Sequence, residues 1–161
     1  MQQHVRAPVA DALPRVQPAR RHWGWLVPRI LGAIAVVVSG VVHLDTYFGP
    51  YREIPTIGQL FIVNFVAASL IGVALLLPIE HLAGRWAGVA FAVTAAAGIA
   101  LTAGSFVMLM ISERTPLFGF QEPGYDPDAI TLSRQTEVAA VVLLGTSLLA
   151  RFATKAPKYR W

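Results

Sequence analysis

The chain has 161 residues, 55% hydrophobic and 14% charged, with a mean hydropathy of +0.57. Soluble domains carry about 25% charged residues, so a disordered chain and a water-soluble enzyme of the usual kind are excluded. The lack of cysteine removes disulfides, thiolate metal sites and thiol redox chemistry. One compact all-α integral membrane domain remains.

The net charge of +4 is placed at the ends. Residues 1–29 hold five arginines against Asp11, and the tail holds Arg151, Lys155, Lys158 and Arg160, so each end sums to +4 and the middle to −4. Basic ends around an apolar middle are a topology signal, and no nucleic-acid partner is expected.

Residues 1–22, rich in Pro, Ala, Gln and Arg, read as a disordered basic cytoplasmic arm without a signal-peptide cleavage site. Four hydrophobic segments follow, at 26–44, 57–79, 86–112 and 128–152, within a bundle of residues 23–152. Residues 153–161 form a basic tail. About 20 helical residues cross a ~30 Å hydrocarbon core, and segments two and three meet this with no charged residue in either. Segments one and four have uncharged runs of only thirteen residues, 30–42 and 138–150. Charge patterning makes them spans all the same. With both termini cytoplasmic, the outer loops carry the acids and the basic arms lie inside, as expected for the cytoplasmic membrane. Trp23, Trp25, Trp86, Tyr159 and Trp161 then mark the inner interface, and Tyr47, Phe48, Tyr51, Phe118, Phe120 and Tyr125 the outer one. Asp126-Pro127-Asp128 supplies a cap, an N1 proline and a second acid for the last helix.

Short spans place polar groups at depth. Taking Arg29 and Arg151 as inner anchors, His43 and Glu137 both lie fourteen residues outward, about 21 Å. Asn64 comes out near 24 Å, and Thr102 and Arg134 near 25 Å. One polar residue per helix therefore falls in one layer. The stripe Gly32, Val36, Gly40, His43 and the face Arg134, Glu137, Val141, Gly145, Leu148 should point inward, with the Ala/Gly-rich third helix as the packing centre. The expected site is a shallow, outward-facing polar pocket holding His43, Asp45, Asn64, Thr102, Arg134 and Glu137. Tyr51, Arg52 and Glu53 in one outer loop, and Glu113, Arg114 and Glu122 in the other, would lid it.

Each feature has a plain alternative. Arg134 and Glu137 suit an intrahelical ion pair, His43 a helix C-terminus, Asn64 an interhelical hydrogen bond, and His81 a solvated turn. A haem needs a second axial ligand. No other transmembrane histidine exists, and Met108 and Met110 count as too far out. His43, Glu137 and Asp45 are chemically suited to a transition metal but have no ligand spacing. No cofactor is expected; haem and a transition metal are the alternatives.

The segment HLDTYFGPYREIPTIGQLFIVN (43–64), with LFGFQEP (117–123) and a polar start to the last helix, resembles uncharacterised small four-span membrane proteins of high-GC Gram-positive bacteria. More remotely, Gly40-x-x-His43-Leu44 closing an Arg-initiated first span is similar to the opening helix of DoxX-like four-helix proteins. The resemblance implies a four-helix bundle over residues 26–152 and carries no catalytic residue with it.

The expected function is non-catalytic: an accessory or small-ligand-binding subunit. Its basic arms would hold anionic headgroups, and its outer face would meet a larger membrane partner or another copy of the chain. A membrane enzyme or redox component using His43 as base or ligand with Glu137 is the alternative. An oligomeric transporter is a third.

Overall fold

A computed structural model describes residues 23–78 and 83–153. The arm 1–22, the inner-turn residues Glu80 and His81, and the tail beyond Ala153 lie outside the described residues. Four long helices carry the described chain: α1 Trp23–Phe48, α2 Ile57–Leu76, α3 Ala87–Ser112 and α4 Pro127–Ala153. A 3-10 turn, Pro50–Glu53, joins α1 to α2, and another, Gly84–Trp86, leads into α3. All four helices are long and apolar enough to cross a membrane.

The two doubtful spans are among the longest helices. α1 has 26 residues and α4 has 27, about 40 Å each at 1.5 Å per residue. Their charged residues are carried inside the helices because the bundle partners them. Asp126 caps α4 as its sequence predicts, with Oδ1 accepting from Ala129 N at 2.9 Å.

The packing centre is α1, which corrects the expectation for α3. In α1, 44% of the apolar window is buried, against 17% in α3. Small residues surround α3 on every side, so no single face of it is specified. Those of α1 lie in a stripe, where Gly32, Ala33, Val36, Ser39 and Gly40 are all buried. Gly40 marks a close approach: a Cβ there would sit 2.7 Å from the Ala68 Cβ on α2. With no hydrophobic drive between helices in lipid, such contacts supply the association through packing.

On α4 the buried face is Ser133, Glu137, Ala140, Leu144 and Ser147. This is one residue round from the expected face, and only Glu137 is common to both. The observed spacing alternates four and three residues, the seam of a helix packed against near-parallel neighbours. Arg134, Val141, Gly145 and Leu148 flank that seam. Outside the seams, Leu70, Val93 and Leu149 point away from the bundle, each more than 60% exposed.

At one end, α1, α3 and α4 meet around Arg29. Its Nε donates to Leu75 O at 2.7 Å and its Nη2 to Leu77 O, closing the carbonyls that end α2. The Arg29 and Arg151 guanidiniums both lie against the Trp25 and Phe91 rings, at 4.7–5.6 Å from the centroids. Ser147 Oγ donates to Trp25 O at 2.8 Å. Arg29, taken above as an inner anchor, is a buried staple, 3% exposed.

Candidate functional site

At the opposite end the helices part around a cavity of about 320 Å³. Val42, His43 and Thr46 face it from α1, Leu60, Phe61 and Asn64 from α2, Leu101, Ser105 and Met108 from α3, and Ile130, Ser133 and Glu137 from α4. Tyr51, Leu117, Phe120 and Glu122 close it above. Most of this lining is apolar. The expected polar pocket is therefore an apolar cavity with a compact polar cluster in its wall.

The cluster centres on Ser105. His43 Nδ1 donates to Ser39 O one turn back at 2.8 Å, which leaves the Nε2 lone pair of the neutral ring facing Ser105 Oγ at 3.0 Å. Asn64 Nδ2 donates to the same oxygen at 3.0 Å. Glu137 Oε1 lies 3.9 Å from His43 Nε2 and accepts from Ser133 Oγ at 3.0 Å. Glu137 is 1% exposed, yet its Oε2 has no partner, and neither does Asn64 Oδ1. Buried polar atoms are normally paired, so these two stand out.

The cap is built around Tyr51, 1% exposed and packed against Phe61, Phe120 and Tyr125 with centroids 5.2–6.0 Å away. Gly58 admits the turn that carries it, since a Cβ there would stand 3.0 Å from the carbonyl oxygens of Tyr51 and Arg52. Burial, and then the hydrogen bond and charge of Glu122, push the Tyr51 phenol well above its ordinary value. Glu122 Oε1 also accepts from Gly124 N and Tyr125 N, at 2.8 and 3.2 Å. Leu117 and Phe120 exchange backbone hydrogen bonds across Phe118-Gly119, both at positive φ. The long loop is thus an ordered cap, as its aromatic residues imply.

Of the sequence-predicted site, His43, Asn64 and Glu137 come together, and Tyr51 and Glu122 also line the cavity. The remaining residues do not join them. Thr102 is buried, but it bonds its own Gly98 carbonyl at 2.9 Å. Arg85, seventeen residues before Thr102, lies within the 3-10 turn Gly84–Trp86 that leads into α3, and the polar residue at the level of His43 is Ser105, one turn on. Asp45 is exposed, and Arg52 and Glu53 are exposed and face each other at 4.0 Å. Arg134 does not pair with Glu137; its Nη2 donates to Glu113 at the end of α3. Arg114 is exposed and bonds Met110 O of α3. Met108, counted as too far out, shares the cavity with His43. His43, Asp45 and Glu137 do not converge, and no described group of three such residues is placed to hold a metal ion.

Ser105 and Ser133 went unread because serine is common in membrane helices and gives no charge signal. The i, i+4 spacing of Ser133 to Glu137 was the available cue. No family model, curated protein or solved structure matches this chain.

Proposed function

We propose that this chain is a non-catalytic subunit of the cytoplasmic membrane, with both termini cytoplasmic, that binds a small, largely apolar ligand. The observation that carries this is the cavity itself: about 320 Å³ of mostly apolar wall with one buried polar cluster containing unpartnered atoms. Ligand sites combine apolar walls with a few convergent polar groups in this way. The mouth lies between α2 and α3. There the lining residues Val63, Ala100 and Gly104 are exposed, and nothing lies within 4 Å of a Cβ built on Gly104. A ligand dissolved in lipid would enter sideways through that gap. The basic residues at each end support the orientation through the positive-inside rule and would hold anionic headgroups.

A panel of small aromatic and aliphatic compounds, titrated calorimetrically against the protein in lipid nanodiscs, tests the reading. Several should bind, and Gly104→Phe should abolish binding while the fold persists, because the added ring fills open space. The accessory role rests on the cap, whose Phe118 and Tyr125 are 58% and 59% exposed. Stoichiometric co-purification with a larger membrane protein, lost on replacing residues 113–120, is the expected result.

A second reading, a membrane enzyme, is favoured by one observation. The Ser105 hydroxyl faces the His43 Nε2 lone pair at 3.0 Å, the geometry of a nucleophile and its general base. Glu137 would then balance charge on the imidazole. Fluorophosphonate labelling of Ser105, lost in His43→Ala, is the outcome that supports it.

A further inference from the structure

The polar cluster holds more acceptors than protons. Its donors are the Asn64 amide and the Ser105 and Ser133 hydroxyls, whose partners are Ser105 Oγ, His43 Nε2 and Glu137 Oε1. The His43 Nδ1 proton is spent on the Ser39 carbonyl. Glu137 Oε2 and Asn64 Oδ1 are left over. Charge is lopsided in the same sense: among the described residues the cavity lining contains two carboxylates, Glu122 and Glu137, and no lysine or arginine. The one nearby guanidinium on α4, Arg134, is turned to Glu113. A carboxylate buried to this degree needs charged or donating partners, and the side chains around the cavity supply the Ser133 hydroxyl to Oε1 and leave Oε2 without one.

Resting on the ligand-binding reading above, we infer that the ligand is an organic cation with an apolar body. A lipophilic amine would set its protonated nitrogen against Glu137 Oε2 and Asn64 Oδ1, its N–H donating to the two spare acceptors. Its hydrocarbon would fill the space beneath Phe61 and Phe120, whose ring faces also attract an organic cation. An anionic ligand would face two carboxylates. A neutral hydrocarbon of the same shape would leave both acceptors unanswered and so lose the charge-assisted hydrogen bond.

The experiment compares three probes on the full-length protein in nanodiscs by calorimetric titration: benzyldimethylamine, protonated at neutral pH, its uncharged isostere isobutylbenzene, and 3-phenylpropanoate. The amine should bind at least about tenfold more tightly than isobutylbenzene, as a direct ion contact in a dry site permits, and the carboxylate should not bind. In Glu137→Gln the preference for the amine over isobutylbenzene should shrink to within about threefold. Equal affinity for the amine and isobutylbenzene in the wild-type protein overturns the cation inference and leaves the cavity a hydrocarbon site. Failure of all three probes, or amine binding that persists in Gly104→Phe, overturns the inference and the ligand-binding reading together. The wild-type comparison stands even should a variant fail to fold.

Discussion

The two ends of the bundle use similar parts to opposite ends. Around Arg29, two guanidiniums, two aromatic rings and the terminal carbonyls of α2 close on one another. Around Glu137, a carboxylate, an imidazole, an amide and two hydroxyls leave acceptors over and stand beside an open volume. A buried charge answered by carbonyls and ring faces ties helices together. One answered in part, next to a cavity, holds chemistry in reserve for something else. The contrast teaches that one end is closed on itself while the other leaves acceptors beside an open volume; on the proposed function the first carries structure and the second binds, and substitutions can set that division against measurement.

The largest effect is expected at the structural end. Arg29→Met keeps the apolar stem but orphans the Leu75 and Leu77 carbonyls and removes the cation from the Trp25 and Phe91 faces. Charge-assisted hydrogen bonds contribute about 1.5–3 kcal/mol each, so a loss of about 3 kcal/mol in unfolding free energy is expected, read by denaturant titration in detergent micelles. Arg29→Lys, which cannot reach two carbonyls with one planar fork, should recover less than half of it. Next comes Gly40→Val, where the new side chain meets Ala68 at less than contact distance. Overpacking of this kind costs about 1–3 kcal/mol, and it should lower Tm without touching probe affinity.

A smaller effect separates the cap from both ends. Tyr51→Phe deletes the hydroxyl bonded to Glu122 and should cost about 1 kcal/mol. Its pH dependence has a definite sign. The phenol is held above its ordinary value near 10 in the folded protein, so its contribution is complete below about pH 10 and is lost as pH rises beyond that. The advantage of the wild-type protein over Tyr51→Phe in Tm should therefore be flat from pH 7 to 9 and shrink above pH 10.

How much of this was legible in the sequence follows from how charge and packing signal themselves. The four long apolar helices, the Asp126 cap and the meeting of His43 with Glu137 followed from hydropathy, helix rise and two arginines at equal remove. Those quantities depend on the chain alone. The packing centre did not follow, because α3 carries small residues on every face and only three-dimensional contact selects among them. Nor did the partner of Arg134, since an arginine at the edge of a seam can reach a neighbouring helix as readily as its own next turn. Ser105 illustrates the general limit. A hydroxyl becomes a hub only when four helices bring their side chains to it, and nothing in its neighbours along the chain announces that.

The smallest effect on stability is the sharpest test of the division. Glu137→Gln preserves volume and keeps a carbonyl oxygen to accept from Ser133. It replaces an unpartnered carboxylate oxygen with an amide that can donate into a cluster rich in acceptors. It also removes the desolvation cost of a carboxylate that is 1% exposed. These changes offset the lost contact with His43, so the unfolding free energy should move by less than about 1 kcal/mol, in either direction. Were the carboxylate a structural tie like Arg29, its loss would be felt on the scale of Arg29→Met. A drop of that size in micelle unfolding would erase the distinction between the two ends and make Glu137 a part of the frame. A neutral result, set beside a changed probe preference in the same variant, would mean that this buried acid is kept at the cavity for what it binds and not for what it holds together.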